Sequence, residues 1–250
     1  MSFRTTAALR WALLVMSLAA NVALVVACLE FYRREQRVRL HPTFPVPSAI
    51  TAPVDKPLVL FLGDSRMQEW PALPAHRFAT VNAGGGGETT AQIRLRASAT
   101  LDAVAPRLVV LQAGINDLKA IGALPDAATE VEQQCLANLS ALVQLSRERG
   151  AKVVLLPILP AAQPSLVRLP VWSSGIEAAR LRVNAALRQR FSAAPGVAML
   201  NDDLVVADTA ADYRDTLHLR PSAYVKLERA AVSALEALLS SPSPQFREDR

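Results

Sequence analysis

The sequence predicts an α/β domain, a three-layer sandwich around a central parallel five-stranded sheet, preceded by one N-terminal transmembrane helix. Three observations lead to this prediction. Short apolar runs alternate with longer segments of helical periodicity, as in parallel sheets covered by helices on both faces. Polar or glycine-rich segments follow several of these runs, where such folds bind ligands. An uncharged stretch of 19 residues near the N-terminus is long enough to cross a bilayer.

The uncharged stretch, residues 11–29, would be about 28 Å long as a helix, close to the hydrocarbon thickness of a bilayer. Trp11 at one end and Phe31 and Tyr32 at the other are typical of interfacial anchors. We expect an uncleaved single-pass anchor. A cleaved signal peptide and a lipoprotein signal ending at Cys28 stay open as alternatives.

Charge is concentrated beside this stretch. Six arginines and two glutamates give residues 1–40 a charge of +4, out of +5 for the whole chain. The remaining 210 residues therefore carry no basic face, and we expect no nucleic-acid partner. Arginines flank the apolar stretch on both sides, so the charge rule leaves the membrane side open. The short basic N-terminus favours export, with the domain on the periplasmic or extracellular side.

Composition divides the chain into four parts. Residues 1–40 form the membrane anchor or signal segment, and the proline-rich residues 41–57 a tether. The α/β domain covers residues 58–240, and the polar residues 241–250 form a disordered tail. The sequence leaves the oligomeric state open. The sparse histidines and cysteines give no metal-ligand spacing, so we expect neither a metal nor a cofactor.

Within the domain, each predicted strand is a short apolar run. The five strands are expected at residues 58–62, 78–81, 108–111, 153–156 and 197–200. Helical periodicity fills the gaps at about residues 88–104, 126–149, 174–192 and 221–240. Gly150 suits a helix C-cap before the fourth strand, and Pro221 suits the first turn of the last helix.

Four segments near the carboxyl ends of the strands or before the last helix carry polar residues. They are Gly63-Asp64-Ser65, the glycine run at 84–87 with Glu88-Thr89, Gly114-Ile115-Asn116-Asp117, and Asp215-Thr216-Leu217-His218. Together they supply the nucleophile, base, orienting acid and oxyanion donors that a serine hydrolase needs. The chain has three histidines, of which His218 alone has a nearby acid, Asp215.

These four blocks, in this order, resemble the SGNH (GDSL-type) hydrolases over about residues 57–240, with Glu88 where an aspartate is commoner. The resemblance implies a flavodoxin-like sandwich. It also implies Ser65 as nucleophile, His218 as general base and Asp215 as the residue that orients His218. The oxyanion hole would consist of the Ser65 and Gly87 backbone N–H groups and the Asn116 side-chain amide. Asp64 and Asp117 are expected to brace their loops.

The leading function is hydrolysis of a carboxylic ester, such as an O-acetyl or short acyl ester on an envelope glycan or lipid. An O-acyltransferase acting on an envelope polysaccharide, and a membrane-tethered binding or scaffolding protein with an inactive site, are the alternatives. A dinucleotide site is disfavoured because Thr89 replaces the third glycine of the fingerprint. The substrate pocket is expected to be shaped by loops at about residues 66–77 and 159–173.

Overall fold

The computed structural model describes residues 2–40, 56–201 and 209–241. Residues 41–55 of the expected tether and 242–250 of the expected tail lie outside the described residues. The described part contains five strands, β1 (Leu58–Gly63), β2 (Ala79–Gly84), β3 (Leu108–Gln112), β4 (Lys152–Leu155) and β5 (Val197–Met199). They pair in parallel in the order β2-β1-β3-β4-β5, which confirms the predicted flavodoxin-like sheet.

The helices follow in chain order. They are α1 (Ser2–Leu40), α2 (Ser65–Gln68), α3 (Thr90–Val104), α4 (Ile115–Leu118), α5 (Ala120–Ala123), α6 (Ala128–Glu148), α7 (Ser174–Phe191), α8 (Thr209–Asp212) and α9 (Pro221–Ser240), with 3-10 turns at Pro125–Ala127 and Leu169–Val171. The four long helices predicted for the domain agree with the structure to within two residues at each end. The four-residue helices were not predicted, because one turn is too short to show a 3.6-residue period.

Apolar side chains alternate between the two faces of the sheet. Leu60 and Leu62 of β1 pack with helices α3, α6 and α7, whereas Val59 and Phe61 pack with helix α9. Each of these four side chains is fully buried, and each such burial stabilises the fold by about 1.5–3 kcal/mol. The sheet is therefore covered on both sides, which explains why its strands are continuous apolar runs.

Helix α1 contains a segment, Ala8–Val38, with the length and hydropathy of a membrane-spanning helix, a property shared by signal sequences. Its C-terminal part contacts the domain. Tyr32 packs against the core, the Arg33 Nε donates to the Ala123 carbonyl at 2.7 Å, and Gln36 is buried. The apolar residues from Ala8 to Cys28 are exposed along the helix. Residues 32–36 thus fix the direction in which the apolar segment leaves the domain.

The strand order creates a crevice at the carboxyl end of the sheet. The chain leaves β1 toward β2 on one side and returns to β3 on the other, so the ends of β1 and β3 form a switch point. Gly63, at the end of β1, lies so close to the Gln112 backbone that any side chain there would collide with the Gln112 carbonyl. This close approach draws the segments after β1 and β3 together.

Candidate active site

Ser65 lies directly after β1, at the start of α2. The preceding residue, Asp64, caps this helix by accepting the Arg66 backbone N–H at 2.9 Å. Because Ser65 is the first helical residue, its own N–H points away from the helix and has no intrahelical acceptor. The Ser65 side chain is partly exposed. Both its hydroxyl and its N–H are therefore available at the crevice.

His218 and Asp215 lie in the segment before α9, far from Ser65 in sequence. The His218 Nε2 lies 3.2 Å from the Ser65 Oγ. The other ring nitrogen, Nδ1, lies 2.8 Å and 3.1 Å from the two carboxylate oxygens of Asp215. The three predicted side chains are thus connected in one line, Ser65–His218–Asp215, with hydrogen-bonding distances at both steps.

Asp215 stays ionised in this arrangement. Partial burial raises its pKa, but the N–H groups of Leu217 and His218 and the imidazole outweigh this effect and lower the pKa to about 2. The two backbone N–H groups donate to Oδ1 at 2.8 and 2.9 Å. A carboxylate held in this way accepts a hydrogen bond from Nδ1–H, which leaves Nε2 of a neutral imidazole as an acceptor.

Gly87 and Asn116, the other two predicted oxyanion donors, are linked through Glu88. Gly87 has a φ of 74°, in the left-handed region, at the tip of the turn after β2. The Asn116 Nδ2 donates to the carbonyl of the next residue, Glu88, at 3.0 Å. Lys119 donates from Nζ to the Asn116 Oδ1 at 2.8 Å. These two bonds hold the Asn116 amide in one plane against the glycine turn.

Glu88 holds the glycine turn in place. Its carboxylate accepts the buried Arg96 guanidinium, with the shortest N–O distance at 2.6 Å. Arg96 also donates to the Ala83 carbonyl at 2.7 Å. The sequence indicated that Glu88 departs from the usual aspartate, but not that Arg96, two turns into α3, is its partner.

Two further carboxylates lie buried beneath the crevice: Asp64 caps its own segment, whereas Asp117 contacts the first residue of α3. Asp117 accepts the Thr90 N–H at 2.9 Å and the Thr90 hydroxyl at 2.6 Å. Burial raises the pKa of Asp117 to about 6, although the Thr90 hydrogen bonds oppose the shift. Burial likewise raises the pKa of Asp64 to about 6, against the lowering effect of the Arg66 charge and N–H.

Arg66 lies next to Ser65, and the sequence did not reveal its structural part in the site. Its side chain is almost completely buried, and its guanidinium donates to three backbone carbonyls, of Leu217 (2.7 Å), Leu159 (2.7 Å) and Pro160 (2.8 Å). The first acceptor immediately precedes His218. Arg66 thus connects the Ser65 segment both to the His218 segment and to the loop after β4. A single arginine after Gly-Asp-Ser gives no sequence signal for such burial.

The loop after β4 borders two open cavities beside this site. Asn184 fixes its start by exchanging hydrogen bonds with the Ile158 backbone, at 2.8 and 3.0 Å. One cavity, of about 530 Å³, is lined by Ile115, Pro160 and Trp172 among others. The second, of about 600 Å³, includes Asp215 in its lining. The predicted loop at 159–173 therefore contributes to the surroundings of the site.

Among the described residues, no group of three or more histidine, cysteine or acidic side chains is arranged to hold a metal ion. His76, the other histidine in the described part, is exposed. His41 lies outside the described residues.

A family model of the GDSL-like lipase/acylhydrolase family matches residues 50–226. The chain belongs to this family. It is therefore a member of a hydrolase family, and the resemblance found in its four sequence blocks is confirmed. No match to the chain was found among curated protein sequences.

Solved structures share the fold. A GDSL-like lipase from Bacteroides thetaiotaomicron is 19% identical, covers 84% of this chain and 97% of its own, and superposes with a TM-score of 0.55. A catalytic mutant of an acetylxylan esterase from Geobacillus stearothermophilus is 17% identical, covers 80% of this chain and 100% of its own, and superposes with a TM-score of 0.53. A lipase/acylhydrolase from Enterococcus faecalis is 17% identical, covers 72% of this chain and 95% of its own, and superposes with a TM-score of 0.52. At these identities the likeness establishes the common architecture.

Replacing Arg66 by lysine should lower ester hydrolysis by about 10–100-fold in kcat with little change in KM, because lysine keeps the charge but cannot bond three separated carbonyls. Initial rates of p-nitrophenyl acetate hydrolysis by the detergent-solubilised full chain, measured over a range of ester concentrations, give kcat and KM for each variant. Arg182→Lys is the matched control and should behave as wild type, because the exposed Arg182 of α7 forms its ion pair with Glu132 of α6. Equal kinetics for both variants would contradict the role given to Arg66.

The Asp64 carboxylate should make stability depend on pH. Its pKa is higher in the folded state, so the free energy of unfolding falls as the pH rises from about 4 to about 6. In Asp64→Asn this fall should shrink by up to about 3 kcal/mol. Urea denaturation at pH 4 to 7 measures the difference in the free energy of unfolding between variant and wild type. For the control Asp102→Asn, at an exposed carboxyl whose pKa Arg149 lowers, that difference should stay level above pH 4. If the difference in the free energy of unfolding between Asp64→Asn and wild type also stayed level over this pH range, the raised pKa of Asp64 would be refuted.

Proposed function

We propose that this protein is a membrane-anchored serine esterase in which Ser65, His218 and Asp215 form the catalytic triad. The observation that carries the proposal is the line of hydrogen bonds from the Ser65 Oγ through the His218 ring to the Asp215 carboxylate. A nucleophile next to a base, and a base oriented by an acid, is the arrangement that activates a serine hydroxyl. The lipase/acylhydrolase family to which the chain belongs supports the same chemistry.

In the first half of the reaction, the Ser65 Oγ attacks the ester carbonyl carbon while His218 Nε2 takes the hydroxyl proton. The tetrahedral intermediate then collapses, and the imidazolium gives that proton to the leaving alkoxide oxygen, which departs as the alcohol. The acyl group stays on Ser65 as an ester. Throughout, the ionised Asp215 holds the Nδ1 proton and stabilises the imidazolium.

In the second half, a water molecule takes the place of the alcohol. His218 Nε2 removes a proton from the water as its oxygen attacks the acyl carbon. The new intermediate collapses by breaking the bond to Ser65, whose oxygen recovers the proton from His218. The carboxylic acid leaves, and the enzyme returns to its starting state.

The negative oxygen of each intermediate would be stabilised by three donors, the N–H groups of Ser65 and Gly87 and the Asn116 Nδ2. Asn116 is held by Glu88 and Lys119, so its amide needs little reorganisation when charge develops. Loss of one such donor costs about 3–4 kcal/mol of transition-state stabilisation.

The expected substrate is an O-acetyl or short acyl ester of the cell envelope. Residues 11–29 would hold the enzyme in the bilayer, residues 41–57 would act as a tether, and domain 58–240 would work on the exported side. The open cavities of about 530 and 600 Å³ beside the site leave room for a glycan or lipid carrier of the ester. An acetylxylan esterase among the proteins of the same fold is consistent with an acetyl ester on a glycan.

Ser65→Ala should abolish turnover of p-nitrophenyl acetate, and Asp215→Asn should lower kcat by about 10²–10⁴-fold because the imidazole loses its orienting partner. The matched control is Ser233→Ala, at an exposed serine on α9, which should retain full activity. The readout is the absorbance of the p-nitrophenol that the full chain in detergent releases from the ester.

Full turnover by folded Ser65→Ala would refute the triad. Transfer of the acetyl group to an added polysaccharide in preference to water would identify an O-acyltransferase instead. A folded wild-type chain without any turnover over an ester panel would favour the binding or scaffolding role.

A further inference from the structure

An exposed apolar loop lies beside the candidate active site. We use the name apolar loop for residues 164–171, the outer part of the segment between β4 and α7. Leu166 is 84% exposed, Val167 89% and Leu169 52%. Single exposed apolar residues are common, but three within four positions at a loop tip mark a surface that contacts something apolar.

The apolar loop lies against helix α1. A groove of about 640 Å³ separates them, with Val167, Pro170 and Val171 on the loop side. On the helix side it is lined by Leu24, Val25, Cys28, Leu29 and Tyr32. The groove is thus apolar on both walls, and one wall belongs to the predicted membrane segment.

The position along α1 sets the depth of this groove. Leu24 lies five residues before Leu29, the end of the uncharged stretch, which is about 7 Å along the helix axis. A bilayer that surrounds residues 11–29 therefore reaches the level of the groove. The exposed Leu166 and Val167 then contact the same apolar layer instead of water, which removes the cost of their exposure.

The charges around the groove suit a lipid surface. Arg168 lies in the apolar loop, and Arg34 and Arg37 are exposed on α1 just beyond the groove. Glu35 also lines the groove, but the cations predominate. Basic side chains at this level attract the anionic phosphates of a bilayer surface.

The groove also adjoins the catalytic groups. Lys119 lines it and donates to the Asn116 Oδ1 at 2.8 Å. Arg168 lines both the groove and the cavity that contains Asp215. A molecule held in this groove at the bilayer surface would therefore contact Lys119, the hydrogen-bond partner of Asn116. It would also contact Arg168, which borders the cavity that contains Asp215.

We propose that the apolar loop inserts into the bilayer beside α1, and that the substrate is an acyl ester carried by a membrane lipid, which reaches Ser65 from the bilayer surface. This inference rests on the proposed esterase function and on α1 as its anchor. It narrows the substrate class from any envelope ester to an amphiphile.

The first test locates the loop. Val167→Cys, in a Cys28→Ser background, is labelled with the fluorophore NBD, and the full chain is reconstituted in phosphatidylethanolamine–phosphatidylglycerol vesicles. Glu148→Cys is the matched control, since Glu148 is exposed at the end of α6, near the amino end of β4 and therefore at the opposite end of the strands from the site. We expect blue-shifted emission and quenching by nitroxide-labelled lipids at position 167, but neither at position 148. Unquenched emission at position 167 would overturn the proposal.

The second test addresses the substrate. In Leu166→Ser/Val167→Ser, the rate of acetate release from hexadecyl acetate dissolved in the vesicles, divided by the rate for aqueous p-nitrophenyl acetate, should fall about fivefold or more. Val225→Ser, at an exposed apolar residue on α9, should leave the ratio unchanged. An unchanged ratio in the double variant would overturn delivery from the bilayer. If the wild type hydrolysed neither ester, the proposed esterase function itself would be refuted. The quenching experiment would still test the position of the loop, because it does not depend on activity.

Discussion

The buried guanidinium of Arg66 is the interaction on which the geometry of this site depends. A hydrogen-bonded line between Ser65 and His218 requires two segments 153 residues apart in sequence to stay aligned within a fraction of an ångström. Arg66 follows the nucleophile directly, and its bond to the Leu217 carbonyl fixes the backbone next to the base. Hydrogen bonds from a charged donor contribute about 1.5–3 kcal/mol each, so its three bonds form a strong connection.

Arg66 also places a buried positive charge beside the crevice. A buried arginine needs compensation, and here backbone carbonyls supply it together with the nearby carboxyl of Asp64. Two tyrosines complete the arrangement, since Tyr224 donates to the Arg66 carbonyl at 2.8 Å and Tyr213 donates to the Pro160 carbonyl at 2.6 Å. The nucleophile segment is thus fixed by its side chain and by its backbone, and little reorganisation is needed when charge develops.

Most of the fold could be predicted from the sequence, because buried parallel strands are short continuous apolar runs and long helices repeat their apolar positions every three to four residues. The order of the four polar blocks likewise predicted which residues meet at the carboxyl end of the sheet. The partners that hold them were not predictable. Arg66, Arg96 and Lys119 act through contacts that depend on tertiary packing, and an arginine that becomes buried looks the same in sequence as an exposed one. The membrane side of the domain is set by neither strand pattern nor motif.

The proposed chemistry depends on Ser65 as the nucleophile, activated by His218. Reaction of the detergent-solubilised full chain with a fluorophosphonate, followed by peptide mass spectrometry, tests this most directly, because the reagent attaches covalently to an activated serine. We expect one adduct, on Ser65, and its loss in His218→Ala. An adduct on another serine, or equal labelling of Ser65 without His218, would contradict it.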